Sequence, residues 1–309
     1  MGKGMSPERL AVLRPGALGD AILTLPVLES LRAGSQGAHI VVAGSPGFRL
    51  AADCGLASEA VPFDDRRLLE LFAIGGTSKF VAGCGLCLVY GRRPDPLLVA
   101  NLKRSGVAEV IEWPAMPEQG AHAADHLLGA VEAAGLPVAT RIPRLPPQPA
   151  WREAARAWLA ARGLGEGFVA IHPGSGGQRK RWPVARFAEV ALRAAQPVVW
   201  LLGPAEGDDR EARAIGEQAG TVADDLPLST LAGLLACCRA YLGNDSGVSH
   251  LAAAVGAPTV ALFGPTDPAV WAPRGPHVAV LDGKGDLAGI AVDRVVAALS
   301  DARALTRPW

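Results

Sequence analysis

Three glycine-bearing segments in the second half of the chain combine residue types that hold phosphate. His172-Pro-Gly-Ser175-Gly-Gly-Gln-Arg-Lys180-Arg-Trp-Pro183 joins an apolar run to a helical pattern through glycines and a hydroxyl, with Lys180 and Arg181 beyond. Backbone N–H groups in such a loop can approach a phosphate closely while the cations supply charge. The same residues also suit a plain turn with solvated basic side chains. The order GxxxxGK[ST] is absent, so this is not a Walker loop. Gly243-Asn-Asp245-Ser246-Gly247-Val-Ser-His250 precedes another helical pattern, so Ser246 and Gly247 would open a helix whose start carries roughly half a positive charge. Asp245 and Ser246 alternatively act only as N-caps, and His250 alone suits a structural role. Gly203-Pro-Ala-Glu206-Gly adds a carboxylate able to accept hydrogen bonds from a ribose or base, and Gly264-Pro-Thr-Asp267-Pro is a turn by composition.

The first half offers one pointed constellation, Gly16-Ala-Leu-Gly19-Asp20. Its glycines lack the GxGxxG spacing of a dinucleotide loop, which argues against a dehydrogenase. A carboxylate at a glycine turn facing a cleft can act as a general base, with helix N-capping as the plain alternative. Cys84-Gly-Leu-Cys87 is formally a CxxC, but it lies in an apolar run without a second pair and reads as buried cysteine.

These loops need strands and helices to aim them. Residues 9–14 read as a strand, 15–20 as a glycine loop and 21–33 as a helix by the spacing of their apolar residues. Strand-like runs at 39–43, 59–63, 84–90 and 107–111 follow, with a helix over 122–135. Residues 137–149 carry five prolines and mark a linker. A second alternation then starts, with strands over 168–172, 198–202, 240–243 and 258–263 between helical stretches. Alternating strands and helices predict mainly parallel sheets covered on both faces, with ligands at the carboxyl ends of the strands.

The bulk numbers agree with this organisation. The 309 residues exceed one ordinary core and suit two domains flanking a cleft. Net charge is zero, with 14 Lys+Arg against 14 Asp+Glu in residues 1–150 and 16 against 16 in the remainder. Neither half is broadly basic, so nucleic acid is not an expected partner, although Arg92-Arg93 and Lys103-Arg104 form local basic pairs. Five cysteines, no signal-like N-terminus and no apolar stretch of membrane-spanning length predict a cytoplasmic protein.

Together the segments RPGALGDAILTLPVLESLR, HPGSGGQRKRWP and NDSGVSHLAAAVGAPTVALFGPTDP resemble glycosyltransferase family 9, the ADP-heptose:lipopolysaccharide heptosyltransferases. The resemblance implies a GT-B fold of two Rossmann-like domains: an acceptor-binding domain over 1–145, a nucleotide-sugar domain over 150–285, and a closing helix in 286–309 free to pack back on the first domain. It implies an inverting, metal-independent transfer of heptose from ADP-heptose, with no cofactor beyond the donor, and no Asp-x-Asp occurs in the chain. Position by position, Asp20 would be the base and Lys180 the phosphate-contacting lysine. Ser175, Glu206, Asp245, Ser246, Gly247 and His250 would line the nucleotide-sugar site. The implied acceptor is a lipid-linked core oligosaccharide at the inner face of a membrane, which allows peripheral contact. Two other readings keep the fold: a transferase with another donor or acceptor, and a non-catalytic nucleotide-sugar-binding protein.

Overall fold

The computed structural model describes residues 8–117, 120–203 and 210–304. They form two compact units, Met1–Pro143 and Arg144–Trp309. The first holds a parallel five-stranded sheet of β1 (Arg9–Arg14), β2 (His39–Gly44), β3 (Glu59–Pro62), β4 (Leu86–Gly91) and β5 (Glu109–Pro114), in the order β3-β2-β1-β4-β5. The second holds a parallel six-stranded sheet of β6 (Val169–His172), β7 (Val198–Leu202), β8 (Thr221–Asp224), β9 (Ala240–Asn244), β10 (Thr259–Phe263) and β11 (Val278–Asp282), in the order β11-β10-β9-β6-β7-β8. The second order is that of a six-stranded Rossmann sheet, and the first is the same order one strand short. The two sheets confirm the expected α/β class.

Strand composition explains the sheets. β1, β2, β7, β9 and β10 are almost wholly buried, as parallel strands flanked by helices must be. β8, β11 and β5 carry half-buried residues because they lie at the sheet edges. The helix Pro149–Ala160 opens with proline at its first position and packs on the helix Leu228–Cys237, where a Cβ at Gly233 would overlap the Trp151 carbonyl. That close approach fixes the first helix after the linker onto the second unit.

The proline-rich stretch 137–148 forms neither helix nor strand, yet it is anchored within its units. Ala139 N–H donates to Ser30 Oγ, while Leu145 is fully buried and donates its N–H to the Ala254 carbonyl. The closing helix forms over Val292–Ala304, and its Val295 and Leu299 are members of the second unit's core beside Val260, Leu262 and Trp182. Burying each such side chain contributes about 1.5–3 kcal/mol, which makes the helix an integral layer of that unit. None of the helices formed by the described residues is long and apolar enough to cross a membrane.

Candidate functional site

In each unit the strand order reverses beside its first strand, between β1 and β4 and between β6 and β9. Loops leaving the carboxyl ends of strands at such a point diverge and leave a crevice for a ligand. Three of the loops singled out by residue type follow β1, β6 and β9, so for these topology and chemistry coincide in both units.

In the second unit a single buried amide ties two of these loops together. Asn244, the last residue of β9, donates through Nδ2 to the Pro173 carbonyl at 2.7 Å and accepts from the Trp182 N–H at 3.1 Å. Trp182 is itself buried, packed edge-on against Phe187 with ring centroids 5.0 Å apart, so the far end of the 172–183 loop is nailed into the core. Ser175 donates its hydroxyl to the Asp245 carbonyl at 2.7 Å, and its own carbonyl accepts from Arg181 at 3.2 Å. At 3 % exposure Ser175 fastens the loop from within.

Lys180 emerges from this framework on a short 3-10 turn, Gln178–Lys180, and donates to Asp245 Oδ2 at 2.8 Å. Thr266, in the turn after β10, donates to the same oxygen at 2.7 Å. The Asp245 side chain is 9 % exposed and that of Lys180 36 %, so the pair presents the ammonium and withholds most of the carboxylate. Ser246 is the N-cap of the helix Gly247–Ala254, its Oγ accepting from the Ser249 N–H at 3.4 Å. Gly247 and Val248 supply the other first-turn N–H groups at the positive end of the helix. Behind them Ser249 donates to the Asn244 carbonyl and pairs with the Tyr241 hydroxyl at 3.0 Å. A Cβ at Gly243 would overlap that hydroxyl, which accounts for the glycine. His172 ends β6 with Nδ1 3.4 Å from Ser246 Oγ, and His250 is buried in the first turn of the helix.

Ser175, Lys180, Asp245, Ser246, Gly247 and His250 therefore all lie on the two loops beside β6 and β9 or on the helix that follows β9. Glu206 lies outside the described residues. Sequence shows Thr266 only as part of a turn; its hydroxyl meets Asp245 because β9 and β10 are neighbours in the sheet.

In the first unit Asp20 occupies the third position of the helix Leu18–Leu23, whose N-cap is Ala17. From sequence, Asp20 stands just before the helical pattern, with N-capping as its plain alternative. It is not the cap: its Oδ2 reaches back to accept the Ala17 N–H at 2.8 Å. Its Oδ1 accepts from Arg14 Nη2 at 2.6 Å, in an ion pair whose side chains are 30 % and 6 % exposed. Arg14 Nη1 also holds the Pro15 carbonyl at 2.9 Å. Burial is the largest influence on this guanidinium and pulls its pKa below the ordinary value, against the opposing pull of Asp20. Gly16 has φ +144°, and a Cβ there would overlap the Asp20 carboxylate, so the loop needs glycine for the side chain to fold back. A small hollow lies beside the end of β4, bordered by Arg92, Arg93, Pro94 and Trp113.

Cys84 and Cys87 are buried and unbridged, and burial pushes both thiols up, so they stay protonated at neutral pH. Among the described residues no group of three His, Cys, Asp or Glu is placed to share a metal ion.

Residues 102–285 match glycosyltransferase family 9 (heptosyltransferase). The chain belongs to glycosyltransferase family 9. Members of this family with similar sequence include lipopolysaccharide heptosyltransferase 1 of Pseudomonas aeruginosa, 36 % identical over 117 residues, or 37 % of this chain and 33 % of that protein. The chain spans between about a third and a half of the length of the curated relatives it matches. Solved structures extend the likeness in fold to nearly the whole chain. A family 9 glycosyltransferase from Veillonella parvula has a TM-score of 0.80 at 22 % identity, covering 96 % of this chain and 97 % of that one. The E. coli ADP-heptose LPS heptosyltransferase II has a TM-score of 0.75 at 21 % identity, covering 96 % and 98 %. With the two parallel sheets, these likenesses establish the GT-B fold of a family 9 glycosyltransferase.

Proposed function

We propose that this chain transfers heptose from ADP-heptose to a lipopolysaccharide core acceptor, with inversion at the anomeric carbon and without a metal ion or further cofactor. The observation that carries the reading is the assembly at the end of β6 and β9. There Lys180, held by Asp245, and the N-terminus of the helix Gly247–Ala254 offer a side-chain cation and oriented backbone N–H groups to one anion. Family membership and the donor named for the E. coli neighbour support reading that anion as the diphosphate of an ADP-sugar.

In this mechanism Asp20 accepts the proton of an acceptor hydroxyl as its oxygen bonds to the anomeric carbon. The bond from that carbon to the diphosphate oxygen breaks on the opposite side, and its electron pair leaves with ADP. Lys180 and the helix N-terminus take up the developing charge, an electrostatic contribution of about 3–4 kcal/mol per well-placed donor. His250 and Ser246 shape the donor site, and Ser175 holds its floor. The acceptor is lipid-linked, so the reaction belongs at the cytoplasmic face of a membrane, reached by peripheral contact.

The experiment is ADP release by the purified protein with ADP-heptose and core acceptor, compared with ADP-glucose and UDP-sugars, each with and without chelator. Release with ADP-heptose that chelator leaves intact is expected. Preference for another donor overturns the heptose assignment, and loss of activity to chelator that added metal restores overturns metal independence.

A further inference from the structure

We propose that Arg14 is a positioning residue for Asp20, fixing through its guanidinium which part of the carboxylate is presented to the acceptor. The inference rests on Asp20 being the base. Helix initiation alone does not call for this arginine. The bond from the Ala17 N–H to Asp20 Oδ2 serves the helix start, and Asp267 and Asp286 cap the short helix Pro268–Trp271 and the 3-10 turn Leu287–Gly289 from the exposed surface with no such arginine bond to either cap among the described residues. Arg14 adds a second restraint on the other oxygen, at 2.6 Å, from a side chain at the end of β1 that is only 5 % exposed as a residue.

That placement is expensive. Taking a guanidinium out of water is repaid only by good geometry and full hydrogen bonding, and Arg14 Nε is buried without a hydrogen-bond partner among the described residues. An ion pair of this kind contributes little net stability, whereas it fixes geometry well. Gly16 completes the arrangement, since its positive φ makes room for the carboxylate to lie back against the loop. Asp20 is thereby held by both oxygens, one to the loop backbone and one to β1, while 30 % of its side chain stays open to solvent. A proton acceptor so held keeps one orientation through the reaction, and a misplacement of about 1 Å at such a group can cost about 10²-fold in rate.

The test uses the full chain with ADP-heptose and core acceptor, with kcat expressed per ADP-binding site counted by calorimetry so that unfolded protein does not contribute. Arg14→Gln should lower kcat by about 10²-fold while ADP affinity stays within about twofold, and Arg14→Lys should recover about tenfold. In an Asp20→Asn background, Arg14→Gln should change kcat by less than about threefold, because a residue acting through Asp20 has nothing left to position. Wild-type kcat in Arg14→Gln, or the same loss in both backgrounds, overturns the role of Arg14. If Arg14→Gln binds no ADP, Arg14→Lys carries the test: reduced kcat with unchanged ADP affinity supports the proposal, and wild-type kcat overturns it. Wild-type kcat in Asp20→Asn alone is a separate failure, which removes the base and this inference with it.

Discussion

Asp20 and Lys180 each carry a partner that changes what their substitution means. Asp20→Asn retains an oxygen for the Ala17 N–H but removes the counter-charge of a buried guanidinium, so it costs stability as well as basicity. We expect turnover per folded molecule to fall by about 10²–10⁴-fold, the usual contribution of a positioned base. Stability should fall by about 1–3 kcal/mol, read from denaturant melts. Turnover near wild type in the folded fraction removes Asp20 from the chemistry. Lys180→Ala strips Asp245 of its cation and leaves that carboxylate facing the place assigned to the diphosphate. It should therefore weaken ADP much more than adenosine, and adding Asp245→Asn should restore part of the ADP affinity. Calorimetry with both ligands decides, and equal losses for ADP and adenosine show that Lys180 is structural. The residue types and spacing of these positions were legible in sequence. Their pairings were not, although Arg14 and Thr266 stand within the quoted segments, because side-chain contacts across 6 and 21 residues are set by the course of the loops.

Most elements with strong local signals were legible, and those defined by neighbours were not. The buried strands β1, β2, β7 and β10 and the helix starting at Gly247 follow from apolar runs and a serine cap. β8 and β11 give no clear signal, because edge strands of four and five residues, mostly half-buried, show neither a long apolar run nor strict alternation. The helix Pro96–Arg104 also passed unread, although Asp95 caps it and Pro96 sits at its first position. The first helix starts at Leu18 rather than after Asp20 because its cap is an alanine, which gives no side-chain signal, and the cap hydrogen bond comes from within the helix. Asn244 is the element-level hinge of the site, joining the end of β9 to both ends of the 172–183 loop. Asn244→Ala orphans the buried Trp182 N–H and Pro173 carbonyl, and we expect a loss of about 1–3 kcal/mol with faster exchange of the Trp182 amide. Wild-type melting and exchange would show that the loop is held without the clamp.

At the scale of the molecule, two Rossmann-type sheets each place their candidate residues where the strand order reverses. The alternation of strands and helices made this architecture legible, while the strand order itself depends on pairings between residues far apart in sequence. The proline-rich stretch contains the point where the two units divide, between Pro143 and Arg144. It is no loose tether, because Leu145 is buried and hydrogen-bonded in the second unit, a contact that composition does not reveal. The closing helix likewise belongs to the second unit's core, since Val295 and Leu299 complete the layer over β9 and β10. The central claim is that such a molecule moves heptose from ADP-heptose onto a lipopolysaccharide core. The direct measurement is the structure of the product: mass spectrometry of the acceptor after incubation, with NMR of the new linkage. The account predicts that the acceptor gains one heptose for each ADP released, joined with the anomeric configuration opposite to that of the donor. Tight binding of ADP-heptose with no change in acceptor mass would contradict it and leave a nucleotide-sugar-binding protein, and a retained configuration would contradict the single displacement assigned to Asp20.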